Sequence, residues 1–294
     1  MVSVTSASLI QRSLAWMVAS CLCFALVMVS IRLFLVDLPT EQSVFLRYAI
    51  GSVFLLPFIG VTGLKFWKWP QKWRFLIRGV LHGLGVVTWF FALLMVPLAE
   101  INALLNLGPI YATLGAVLVF GERLKLRRIM AIVISFVGAL IVIKPGFADF
   151  NLGIVAILLT APLFAASDLM AKGLKAVCPD NLIIFGLSSC IAVLLAGPAM
   201  MAWAPMRAEH YIGVLAIASF ATLGHVTLMR AFRGPMWAAQ MGKYVQLLFV
   251  VIFGIALFDE IPVASTLIGA MVVLLSVSYI AWREHQLAKQ GEAQ

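Results

Sequence analysis

Ten stretches of about twenty mostly apolar residues take up nearly the whole of this 294-residue sequence, with Gly, Pro and short bursts of Lys and Arg between them. Wound as an α-helix at about 1.5 Å per residue, a run of that length matches the hydrocarbon core of a bilayer. The expected spans are Ser13–Val36, Glu41–Val61, Arg74–Met95, Leu98–Phe120, Arg128–Ile143, Leu152–Ala171, Asn181–Trp203, Tyr211–Arg230, Trp237–Phe258 and Ser265–Trp282. Almost nothing is left for an extramembrane domain. The sequence therefore predicts an all-α membrane protein of ten transmembrane helices whose function lies in the bundle.

Composition agrees, with 63% hydrophobic residues, 11% charged residues and a mean hydropathy of +1.07, so lipid is the expected solvent. The net charge of +9 does not mark a nucleic-acid partner, because the basic residues fall between apolar stretches and form no single patch. Cys21, Cys23 and Cys190 sit inside apolar segments and Cys178 lies alone in a connection. This is neither a disulfide framework nor a zinc spacing, and no metal or cofactor is expected. The run from Ser13 is too long for a signal-peptide core and is expected to stay as the first span.

Positive charge sets the orientation, since Lys and Arg are retained on the cytoplasmic side. With the amino terminus inside, sixteen of the 21 basic residues fall on cytoplasmic segments, among them Lys65 to Arg78 and Arg123 to Arg128. Only Arg32, Lys144 and Arg207 fall at outer ends, while Arg47 and Lys243 lie within spans. Both termini are expected in the cytoplasm. The aromatic and basic run from Lys65 to Arg74 suits an interfacial belt beside anionic headgroups.

The halves also align with each other. A shift of 138 places Pro97 on Pro235, Asn102 on Gln240, Asn106 on Tyr244, Phe120 on Phe258 and Glu122 on Glu260. A shift of 140 places Phe24 and Ala25 on Phe164 and Ala165, Arg32 on Lys172 and Pro39 on Pro179. The implied unit is five helices, residues 1–146 and 147–294. An odd number of spans makes the second copy enter the membrane from the opposite side. Two such inverted repeats around a central cavity suit alternating access, because one packing geometry can open to either face.

Certain motifs resemble a known family. The segment from Leu107-Gly-Pro-Ile-Tyr to Phe120-Gly-Glu122-Arg-Leu, followed by Gly138 to Lys144-Pro-Gly146, is similar to that of ten-span EamA-type members of the drug/metabolite transporter superfamily. Phe258-Asp-Glu260-Ile-Pro followed by Leu267-Ile-Gly-Ala270 resembles a second copy, with Asp259 where Gly is usual. Phe45-Leu-Arg47-Tyr resembles the family's Arg-bearing second helix. The resemblance covers nearly the whole chain. It implies a transporter with a central cavity in a bacterial inner membrane, and at this length it suggests an exporter of amino acids and related metabolites.

Ionisable residues within spans are costly and so point to a cavity or a partner. Arg47 lies about 9 Å into the second helix. It would attract a substrate carboxylate or pair with Glu41, Asp37 or Glu100. Lys243 and Asp168 lie near the inner ends of their helices and are a candidate ion pair, although Asp168 also has Lys172 at i+4. His82 and His225 are packing residues or sites of proton coupling. Asn102, Asn106 and Thr113 recur near helical spacing on the fourth span, as Gln240, Lys243 and Tyr244 do on the ninth. These faces either line a cavity or join helices through polar contacts. Trp89 and Trp16 would wall such a cavity, or face lipid. Glu122 and Glu260, with Pro97, Pro235 and Asp168, are expected to be structural or gating residues.

The expected partners are a small-molecule substrate and the lipid bilayer; a monomer is compatible with this reading. A membrane-embedded enzyme would need clustered carboxylates or histidines, and the sequence has no such cluster and no His-Glu-x-x-His. Import of a larger metabolite, such as a nucleotide, vitamin or phosphorylated sugar, is the alternative within transport. A phosphorylated cargo calls for several inward cations, and only Arg47 and Lys243 qualify by position.

Overall fold

The computed structural model describes residues 3–63, 65, 69, 71–108, 110, 111, 114, 126–143, 151–174, 177–231 and 245–291. Among these are ten helices and no strand. They are α1 (Ser3–Phe34), α2 (Thr40–Gly63), α3 (Lys72–Met95), α4 (Leu98–Leu105), α5 (Leu126–Ile143), α6 (Leu152–Leu174), α7 (Asp180–Met201), α8 (Ala208–Ala231), α9 (Val245–Phe258) and α10 (Ala264–Gly291). Six of them contain segments long and apolar enough to cross a membrane, namely Gln11–Phe34, Thr40–Ile59, Lys72–Met95, Leu152–Ala171, Asp180–Met201 and Ala208–Ala231.

The surface is apolar. Val193, Met201, Phe58 and Ile261 are all more than 60% exposed, while Gln42, Arg47, Arg78, Asn102, Asn106 and a series of Ser and Thr side chains are buried. A water-soluble fold places these classes the other way round. Backbone groups then have no solvent to bond, which explains why the described chain is helical nearly throughout.

By packing, the chain divides into two compact units. One is Leu26–Val96 with Leu152–His225, and the other is Met1–Ala25, Pro97–Asn151 and Val226–Gln294. Each draws on both sequence halves, so this division is distinct from the proposed repeat boundary near residue 146.

In the first of these units, α3 packs against α6 and α7, and α2 packs against α7. The end of α3 is closed by Arg32, whose Nε donates to Leu93 O at 2.7 Å and whose second nitrogen reaches Val96 O. These are carbonyls that the helix leaves without an internal partner. Arg32 was expected simply as an outer-end charge. It instead ties α1 to α3.

In the second unit, α5 crosses α10, and α9 and α10 both meet α4. The crossing of α5 and α10 depends on Gly138 and Gly269. A Cβ at Gly269 would lie 2.5 Å from Gly138 O, and one at Gly138 would lie 2.9 Å from Gly269 O. Small residues let the two backbones touch. Asp259 adopts a left-handed φ of 53°, a region that Gly enters most freely and Asp tolerates.

Candidate functional site

Two groups of buried polar residues stand out, one in each unit. In the unit containing α2, α3, α6, α7 and the start of α8, Arg47, Arg78 and His82 are each at most 9% exposed. Arg47, Gly51, Ser188, Ala221, Thr222 and His225 help to line a small cavity where α2, α7 and α8 meet. Its free volume is about 10 Å³, room for about one water. The guanidinium carbon of Arg47 lies 4.0 Å over the Tyr48 ring, and its Nε makes no hydrogen bond.

Arg78 enters the same interior from α3. One of its terminal nitrogens donates to Ile183 O at 3.0 Å, its Nε is buried without a partner, and the carboxylate of Asp168 acts on it electrostatically. Sequence position had assigned Arg78 to the cytoplasmic rim, six residues after Lys72. It is in fact buried, beside Gly79. The local signal was the pair Arg74 and Arg78 at i and i+4, of which one side chain is exposed and the other is not.

The histidines are held by named partners. His82 Nδ1 lies 3.1 Å from Ser167 Oγ and its ring stacks on Phe164 at 4.7 Å. His225 Nδ1 donates to Ala221 O at 2.7 Å. The charges of both Arg47 and Arg78 reach both imidazoles. Trp89 is buried and stands edge-on to Phe90 at 5.7 Å, with no bond at its Nε1.

Two of the three partners expected for Arg47 are engaged elsewhere. Asp37 pairs with Arg207 at 2.5 Å, and Glu100 accepts from Thr266 Oγ1 at 3.3 Å. Among the described residues Arg47 therefore has no carboxylate partner. Trp16 is 37% exposed and carries Arg230 over its ring at 4.7 Å, which makes it an anchor for that cation.

The other group lies around α4. Pro97 is its N-cap, and Glu260 reaches the same end to accept the Leu98 N–H at 2.9 Å. Asn102 and Asn106 are 4% and 7% exposed. Asn106 Nδ2 donates to Asn102 O at 2.9 Å, which closes the helix at its C-cap. Gln240, Lys243, Tyr244, Glu122, Pro235 and Thr113 lie outside the described residues, as does the side chain of Lys172, so the pairing of Asp168 with Lys243 falls there too.

Residues 11–144 match the EamA-like transporter family. Curated relatives align over most of the chain. The S-adenosylmethionine uptake transporter of Rickettsia prowazekii is 24% identical, over 86% of this chain and 87% of that protein. The riboflavin transporter of Rhizobium johnstonii is 28% identical, over 92% and 90%. The pseudopaline exporter of Pseudomonas aeruginosa is 27% identical, over 81% and 85%. A solved crystal structure with 17% identity covers 94% of this chain and 97% of its own at a TM-score of 0.63, so the two share a fold.

Proposed function

We propose that the chain, similar to EamA-type membrane transporters, is such a transporter and not an enzyme, and that it exports small zwitterionic metabolites, foremost amino acids, across a bacterial inner membrane by alternating access. The observation that carries this reading is the chemistry of the buried polar residues. Among the described residues, apart from Arg47, Arg78, His82 and His210, they are Ser, Thr, Asn and Gln. Neutral amides and hydroxyls can replace the hydration of a small zwitterion at modest cost, whereas a polyphosphate would call for a much denser set of cations.

The proposal includes the inverted repeat of residues 1–146 and 147–294, with both termini in the cytoplasm. On this reading Asn102 and Asn106 and their repeat mates Gln240 and Tyr244 belong to the substrate path, with Lys243, Trp89, Arg47 and His82. Glu122, Glu260, Asp168, Pro97 and Pro235 set helix ends and gates.

A second reading, uptake of a larger metabolite, is favoured by the names of two relatives, which are transporters of S-adenosylmethionine and of riboflavin. Flux into liposomes carrying the purified protein separates the two. Labelled amino acids, S-adenosylmethionine, riboflavin and nucleotides are offered in parallel. The first reading expects amino acids alone to exchange, and flux confined to the larger compounds overturns it.

A further inference from the structure

We infer that the unit built from Leu26–Val96 and Leu152–His225 holds a binding site for one monovalent anion, a halide or a carboxylate, at Arg47 in the cavity between α2, α7 and α8. The argument starts from charge. This unit contains five acids, Asp37, Glu41, Asp168, Asp180 and Glu209. Asp37 and Glu209 both bind the exposed Arg207, at 2.5 and 2.7 Å. Glu41 and Asp180 lie in the first turns of α2 and α7, where the helix N-terminus favours negative charge. Six residues separate Glu41 from Arg47, which places them about 9 Å apart along the helix and on different faces. Asp168 acts on Arg78.

That accounts for every acid of this unit, and among the described residues Arg47 pairs with none of them. An imidazole supplies no negative charge, so His82 and His225 do not balance it. Two buried guanidiniums thus sit within this unit, and the carboxylate that acts on one of them, Asp168, is itself exposed. An uncompensated buried cation in such a place is costly, and an anion beside it offsets that cost.

The cavity lies where that anion is needed. Arg47 is 94% buried, its Nε has no partner, and Ser188 and Thr222 bring hydroxyl donors to the same walls. The free volume is that of about one water, so a bound anion takes that water's place with a single atom, and a phosphate ester is too large. A planar guanidinium matches a carboxylate through two parallel hydrogen bonds. The carboxylate source rests on the proposed transport of zwitterions, while the halide source does not.

The test uses the purified full chain in detergent and follows the line width of ³⁵Cl as chloride is added. The wild-type protein should broaden the chloride line in excess of Arg47→Gln, whose affinity should fall at least about tenfold. Arg47→Lys should keep part of the effect. Thr222→Val, which preserves volume and every charge, should bind chloride about threefold more weakly and stands in for Arg47→Gln if that variant does not fold.

Acetate should narrow the line by displacement. Displacement by alanine but not by alaninamide identifies the cargo carboxylate as an occupant, and displacement by acetate alone identifies a small free anion; either supports the site. No excess broadening in the wild type overturns it, as does broadening equal to the wild type's in Arg47→Gln or, where that variant does not fold, in Thr222→Val. Arg47-dependent chloride binding without amino-acid flux would leave the site standing and remove the transport reading.

Discussion

Glu260 accepts the backbone N–H of Leu98 at 2.9 Å, so a carboxylate 162 residues away caps the first turn of α4. The cap follows Pro97, which offers no side-chain acceptor of its own. A negative group at a helix N-terminus is favoured both by the free N–H groups and by the helix dipole. Glu260→Ala should therefore destabilise the protein by about 1 kcal/mol, and Glu260→Gln, which keeps an oxygen, by less. Thermal unfolding in detergent reads both, and an unchanged midpoint for Glu260→Ala would show that the cap is dispensable.

The contact of α5 with α10 makes a sharper demand. Gly269→Ala would put a methyl group 2.5 Å from Gly138 O and 2.6 Å from Val142 Cγ2, and two backbones cannot both yield cheaply. The expected loss is about 1–3 kcal/mol or more, seen as a lower yield of monodisperse protein. Gly197→Ala is the control, since nothing lies within 4 Å of its added carbon. As an interior helix position it should be neutral or gain up to about 1 kcal/mol.

Gln42 and Arg207 test burial against charge. Gln42 is fully buried and grips Ala204 with both ends of its amide, donating to the carbonyl at 3.1 Å and accepting from the N–H at 2.8 Å. Gln42→Ala leaves both backbone groups without that partner and should cost about 1–3 kcal/mol. Arg207 binds Asp37 and Glu209, but its side chain is 61% exposed. Arg207→Ala should cost no more than about 1 kcal/mol, and less at high salt. The opposite ranking in a thermal shift would refute the assignment.

Cys178 lies in the connection between α6 and α7, and burial pushes its thiol above the usual value. The thiolate is the reactive form, so at pH 7 its labelling by a maleimide should be slow and should rise about tenfold per pH unit through the usual thiol range. A cysteine at the neighbouring Val177, which is 47% exposed, should react faster on a background without the native cysteines. Equal rates would contradict the burial.

With the buried Arg78 set aside, fifteen cytoplasmic charges against three at outer ends still predict the topology. Reporter fusions after Lys72, Arg127 and Gln294 should read cytoplasm, and a fusion at Arg207 should read outside. An external signal at Gln294 would exclude an even number of spans.

The spans were legible in the sequence because transfer of a segment into lipid depends on its own side chains. The run expected at Arg74–Met95 is α3 at Lys72–Met95, and the one at Leu152–Ala171 is α6 at Leu152–Leu174. Asp259 was also visible in the sequence as a departure from a resembling motif, and the structure adds that its backbone is left-handed. What tertiary structure alone decided was partnership. Nothing in hydropathy says that Arg32 closes α3, that Asp37 belongs to Arg207 and leaves Arg47 alone, or that Arg78 turns inward while Arg74 does not. Every helix in such a bundle is apolar on most sides, so the choice of neighbour comes from close packing at positions like Gly138 and Gly269, and the polar contacts form wherever that packing brings them.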